Sequence, residues 1–236
     1  YELTARYLEE LLQKEYGMND IPLKEINHEF ITKFEHYVKT EKSCAQNAAV
    51  KYLKNLKKII KAALVNKWIT DDPFLEIHFK QTRTNRAFLT EEELGILLKK
   101  EFTIPRLQTV RDIFVFCALT GLAFTDVQHL RHDHIIKDGN GEYWIRKARE
   151  KTDNMCDIPL LDIPRMILEK YKGHPECMKK GVLLPVPSNQ RMNSYLKEIA
   201  DTCGITKPLS THVARHTFAT VALANRVSME SVAKML

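Results

Sequence analysis

His212, Arg215 and His216 occupy positions i, i+3 and i+4 of the segment Ser210-Thr211-His212-Val213-Ala214-Arg215-His216-Thr217-Phe218-Ala219-Thr220. Pro208, Ser210 and Thr211 are helix-start residues, so the three side chains are expected on one face of a helix's first turns. Free backbone amides and the positive end of the helix dipole favour an anion at such a place. An imidazole and a guanidinium, whose fork takes two oxygens at once, turn that preference into a grip on a phosphate. An exposed H-x-x-R also occurs as an ordinary solvated helix face, so these residues alone leave both readings open.

Breaking a phosphodiester by direct transfer needs an in-line nucleophile, cations around the non-bridging oxygens and an acid for the leaving 5′-oxygen, and in principle no metal. His212 and Arg215 are the candidates for the oxygens. Lys151, expected at the tip of a β-turn, is the candidate acid, with an ordinary turn lysine as the alternative. His129, His132, Asp133 and His134 look superficially like a metal cluster. Their spacing fits no ordinary ligand set and no thiolate lies at a suitable interval, so neither metal nor other cofactor is expected. Trp68 and Trp144 are read as packing residues.

The elements that must position these groups divide into two parts, 1–82 and 83–236. The first reads as helices around Ala5 to Tyr16, Asn27 to Thr40 and Cys44 to Asn66. In the third, Leu53, Leu56, Ile59, Ile60, Ala63 and Leu64 share one arc, and Lys51, Lys54, Lys58 and Lys61 share another at 3-4-3 spacing. The lysines form either a solvated face or a phosphate track that Lys42 extends. Their compact spacing favours the track, since lysines along a groove neutralise phosphates and release counterions. Asp71-Asp72-Pro73-Phe74 closes the helical part and the basic stretch Lys80 to Arg86 is the linker.

In the second part, Thr90 and Glu93 form a capping box that opens a helix through Leu98, and an apolar helix from Val110 to Leu119 ends at Thr120-Gly121. Between Ile135 and Leu160 the period becomes strand-like, with turns at Asp138-Gly139-Asn140-Gly141 and Thr152-Asp153-Asn154, which predicts a small antiparallel sheet. Helices resume over Pro164 to Tyr171, Ser188 to Cys203, Ser210 to Asn225 and from Ser228 on. The fold class is mainly α: an all-helical domain followed by a helical domain with a small antiparallel β-sheet.

The net charge of +6, from 36 basic and 30 acidic residues, suits a polyanionic partner without requiring one. Five scattered cysteines without C-x-x-C spacing point to reduced thiols in the cytoplasm rather than a disulfide framework. The longest apolar run, Ile113 to Leu119, is too short to span a bilayer, and the N-terminus lacks a signal-peptide layout, so no membrane partner is expected. Tyr1 is not a start methionine and the last helix has an N-cap at Ser228 but no stop signal, so the chain is expected to be a piece of a longer protein.

The 210–220 segment closely resembles the second signature box of the tyrosine recombinases, or phage-type integrases, H-x-L-R-H-T-F-A-T, with Ala214 in place of Leu. The resemblance extends through Arg86-Ala87-Phe88-Leu89-Thr90-Glu91-Glu92-Glu93-Leu94, Ala118-Leu119-Thr120-Gly121-Leu122, Lys151-Thr152 and Leu183-Leu184-Pro185. The wording is most similar to integrases of Bacteroides-type conjugative transposons. It implies a core-binding domain whose Lys51-Tyr52-Leu53-Lys54 helix faces DNA, Lys151 as the catalytic lysine, and two domains that enclose duplex DNA. It further implies a synaptic tetramer of self-associated protomers, strand exchange through a 3′-phosphotyrosyl intermediate, and accessory DNA-bending proteins as further candidate partners.

One departure stands out. The family's first catalytic arginine follows Thr-Gly-Leu, where this chain has Ala123. Arg149, two residues before Lys151 on an expected strand and therefore on the same face, is the proposed replacement, ahead of Arg146 and Lys147. Asp126 takes the place of the family's acidic residue, to orient a cation or cap its helix. The family's nucleophile lies downstream of H-x-x-R, whereas the last tyrosine here is Tyr195, so the tyrosine is expected beyond Leu236 and the present chain is expected not to cleave. Two other readings are a non-catalytic DNA-binding protein derived from a recombinase and a metal-dependent nuclease, which no carboxylate spacing recommends.

Overall fold

The computed structural model describes every residue from Tyr1 to Leu236 and divides into two units, Tyr1–Thr84 and Asn85–Leu236. The first is helical: α1 (Glu2–Tyr16), α2 (His28–Thr40) and α3 (Gln46–Val65). Gly17 stops α1 in the left-handed conformation at φ 65°, and the Asn27 side chain caps α2 by accepting from Phe30 N at 2.9 Å. Leu11, Phe30, Ile31 and Phe34 meet Leu53, Leu56, Ile60 and Phe74 in one core. Fully burying side chains of this size contributes about 1.5–3 kcal/mol each. Ile59, expected on the apolar arc of α3, is instead 48% exposed, because the arc that reaches the core runs through Ala49, Leu53, Leu56, Ile60 and Ala63.

The second unit contains α4 (Glu91–Lys99), α5 (Pro105–Thr120), α6 (Phe124–Gln128), β1 (Ile135–Lys137), β2 (Tyr143–Ala148), β3 (Met155–Pro159), α7 (Asp162–Tyr171), α8 (Pro175–Lys180), α9 (Asn189–Thr202), α10 (Thr211–Ala224) and α11 (Met229–Met235). The expected capping box at Thr90 and Glu93 is formed in both directions. α5 is the central helix: Ile113, Phe114, Val115, Phe116 and Cys117 are each at most 1% exposed, which requires neighbours on all sides rather than one. The strands form an antiparallel sheet in the order β1-β2-β3, with Ile145 opposite both Ile135 and Ile158. The mainly helical class with a small antiparallel sheet is therefore borne out.

Neither α6 nor α8 is among the expected helices. With five and six residues, neither spans enough turns to show a 3.6-residue period. End signals for α8 are present all the same: Pro175 in its first turn and Gly181 in the left-handed region at φ 66°.

Candidate active site and nucleic-acid interface

Ser210 caps α10, its Oγ accepting from Val213 N at 3.3 Å. The first turn then buries Thr211, Val213 and Ala214 and leaves His212 exposed, with Arg215 partly buried on the same side. Thr217 anchors the helix below them: its hydroxyl donates to Val213 O at 2.8 Å and accepts from Leu89 N at 2.9 Å.

Arg215 reaches across to the end of α5, where Nη1 donates to Gly121 O at 2.7 Å and Nη2 donates to Leu236 O. Gly121 permits that approach. Its φ is +69°, and a Cβ there would fall 2.5 Å from Phe218 Cδ1, so another residue would strain the backbone and force the Phe218 ring to move. Burial, and then the nearby Arg149 charge, hold the Arg215 guanidinium below its usual range.

Arg149 is 8% exposed and donates from Nη1 to Asp126 Oδ2 at 3.2 Å and from Nη2 to Met235 O at 2.6 Å. Asp126, 2% exposed in the first turn of α6, uses its other oxygen to accept from Glu150 N at 3.0 Å. One carboxylate thus fixes the Arg149 side chain and the backbone of the turn that carries Lys151. Asp126 orients a cation rather than capping α6, whose N-cap is Ala123.

Arg149 lies beyond the strand on which it is expected. β2 ends at Ala148, so Arg149 and Lys151 lie in the following turn, closed by Asp153 N to Arg149 O at 2.8 Å and Arg149 N to Asn154 O at 2.9 Å. Strand alternation does not operate there, and the two do not share a face: Arg149 is buried and Lys151 is exposed. Arg146 pairs with Asp157 at 2.6 Å, and buried Lys147 pairs with Glu150 at 2.7 Å.

The structure therefore brings Arg149 and Arg215 together, with His212 one turn before Arg215 and Lys151 two residues beyond Arg149. His129 Nδ1 lies 3.6 Å from Glu150, His134 Nδ1 accepts from Arg131 N at 3.1 Å, and no group of three His, Cys, Asp or Glu side chains is placed to hold a metal.

In the first unit, Lys51, Lys54, Lys58 and Lys61 are all exposed along α3, on the side away from Leu53, Leu56 and Ile60. Lys54 lies 6.0 Å from the Phe79 ring centre and Lys58 lies 6.0 Å from that of Tyr1. Lys42 is engaged within the unit: it pairs with Glu10 and sits 5.4 Å from the ring centres of both Tyr7 and Tyr37. The Glu10 and Tyr37 hydrogen bonds hold its ammonium above its usual range.

Residues missed from sequence include Gly121 as the seat of Arg215 and Glu150, whose carboxylate Lys147 holds below its usual range. Only Gly121 carries a signal, as the expected stop of α5.

Solved structures share this fold. A lambda integrase dimer bound to a COC′ core site matches over 99% of this chain and 83% of its own with a TM-score of 0.73 and 17% identity. XerH recombinase bound to its difH substrate matches over 100% and 71%, again at 0.73 and with 18% identity. The family model described as "Phage integrase SAM-like domain" matches residues 1–81, and that described as "Phage integrase family" matches residues 87–236. The chain belongs to the phage integrase family of tyrosine recombinases. Its curated relatives include the tyrosine recombinase XerD of Listeria monocytogenes, 26% identical over 100% of this chain and 82% of that protein. Another is XerC of Halalkalibacterium halodurans, at 22% identity over 100% and 80%.

Proposed function

We propose that the chain is the DNA-gripping body of a site-specific recombinase carried by a mobile element, acting in the cytoplasm as a self-associated tetramer on paired duplex sites. The observation that supports this best is the nearness of Arg215 to Arg149, which Asp126 holds, with His212 one turn before Arg215 at the start of α10. Two guanidiniums and an imidazole supply positive charge opposite the negative charge that a pentacoordinate phosphorus places on its oxygens. Arg149 stands in for the arginine missing at Ala123. Lys151, exposed on the turn, protonates the leaving 5′-oxygen. Lys51, Lys54, Lys58 and Lys61 contact the backbone phosphates of the flanking duplex, with Lys42 at the end of the track.

The attacking group is a tyrosine outside the residues described, and the bond energy conserved in its 3′-phosphotyrosyl ester drives religation without nucleotide or metal. The test is a nicked suicide duplex bearing the element's own ends. The full-length protein should form a covalent adduct resistant to denaturant, and Arg215→Ala and Arg149→Ala should each reduce its formation by roughly 100-fold or more. Normal adduct formation by Arg149→Ala removes that residue from the mechanism.

A second reading, a recombinase-derived DNA-binding protein without catalysis, draws on Ala123. It predicts tight duplex binding with no adduct from the full-length protein.

A further inference from the structure

Arg86 opens the first stretch of the family resemblance without a role of its own there, yet its side chain reaches the face of α10 that carries His212 and Arg215. Arg86 Nη1 lies 3.2 Å from His216 Nε2. A guanidinium stays protonated and has no acceptor, so it is the donor and Nε2 of a neutral His216 accepts. The side chain is exposed, and the imidazole can occupy only one part of its five-donor fork.

The placement is built rather than incidental. Three residues further on, buried Leu89 donates its backbone N–H to Thr217 Oγ1 at 2.9 Å, and that hydroxyl donates in turn to Val213 O. Segment 86–89 is thereby tied to α10 at two successive residues, His216 and Thr217. Arg86 is thus held on this helix by its own side chain and by the backbone of Leu89.

The charges gathered there share one sign. Burial pushes the His216 imidazole below its usual range, and the further contributions come from Arg86, His212 and Arg215, with no carboxylate among them. Structural ion pairs gather opposite charges, whereas a guanidinium whose side-chain partner is a neutral imidazole keeps its charge and its remaining donors open to an anion.

We infer that Arg86 binds a DNA backbone phosphate adjacent to the one gripped by His212 and Arg215, with His216 as the positioning residue that aims its guanidinium. The inference rests on the recombinase reading and adds one more side chain to its phosphate-contacting surface. Neutralising one more phosphate releases condensed counterions, which gives a measurable signature independent of strand cleavage.

The measurement is equilibrium binding of the full chain to a fluorescein-labelled random-sequence duplex, titrated from about 50 to 200 mM salt. Arg86→Gln retains a hydrogen-bond donor for His216 but removes the charge, so folding is preserved where Arg86→Ala fails. The Gln variant should bind roughly tenfold more weakly at about 0.1 M salt and lower the slope of log K against log salt by about 0.9. Arg86→Lys should restore most of that slope, since it restores the charge without the fork. His216→Ala should weaken binding less than Arg86→Gln and leave the slope near that of wild type.

An unchanged slope for Arg86→Gln beside a wild-type chain that binds overturns the inference and leaves the recombinase reading standing. So does an affinity loss that is equal at all salt concentrations, which marks a structural role. A wild-type chain with no salt-dependent duplex binding overturns both.

Discussion

Asp126 is the residue on which the site's geometry depends most, and replacing it tests that dependence directly. Its two oxygens accept from different partners, Oδ2 from Arg149 Nη1 at 3.2 Å and Oδ1 from Glu150 N at 3.0 Å. Both partners are donors, so asparagine fails in either rotamer: one contact becomes donor facing donor. Asp126→Ala removes both acceptors and leaves Arg149, 8% exposed, buried beside the like charge of Arg215. Removing one partner of a buried pair costs about 3–5 kcal/mol, and Asp126→Asn should cost roughly 2–4 kcal/mol. For a domain of roughly 150–250 residues, each kcal/mol moves Tm by about 2–4 °C, so Asp126→Ala should melt about 6–20 °C lower. The fluorescence of Trp144, read in a Trp68→Phe background, follows the second unit alone, because Trp68 lies in the first and is 61% exposed. Combining Asp126→Leu with Arg149→Met should recover most of the loss, since an apolar pair of similar volume has no charge to strand. If Asp126→Asn melted within a degree of wild type, or if the losses of Asp126→Leu and Arg149→Met simply added in the double variant, the clamp would not be the organising contact.

Other outcomes follow from the same structure. Gly121→Ala should destabilise the second unit by about 2 kcal/mol or more, through the left-handed backbone and the 2.5 Å approach to Phe218, and should weaken duplex binding by shifting the carbonyl that seats Arg215. His216 and His134 both have imidazoles held below the ordinary value of 6.5, largely by burial. A depressed folded value contributes stability that is present above about pH 6.5 and is lost as pH falls through it. Urea midpoints between pH 7 and 5 should therefore drop, and less steeply in His216→Gln. Among the thiols, Cys117 is fully buried with its pKa pushed up to about 12, so alkylation under native conditions should spare it and reach partly exposed Cys44 and Cys203 first. Mass spectrometry of partially alkylated protein checks the order.

Much of this architecture is legible in the sequence because local signals agree with the tertiary solution. The Thr90 capping box, the Gly121 stop and the Asp138-Gly141 turn each sit where chain chemistry permits few alternatives. The common side of His212 and Arg215 on α10 is readable for the same reason, since Ser210 sets the helix register and the register sets their shared face. The environment of Arg149 is not. Strand alternation fails past Ala148, where the backbone leaves the sheet, and the partners Asp126 and Met235 come from distant segments that no local period announces. Arg86 is hidden similarly: its partner is 130 residues away, and in sequence it reads as the end of a polar linker.

Arg149 and Lys151 belong to a single turn, and that turn is clasped to α6 through both its backbone and a side chain by the same carboxylate. A cation delivered from α6 itself, at position 123, would move independently of the hairpin. Here anything that lifts the hairpin withdraws two positive charges in concert and leaves Arg215, seated on Gly121 at the end of α5, to hold the local field alone.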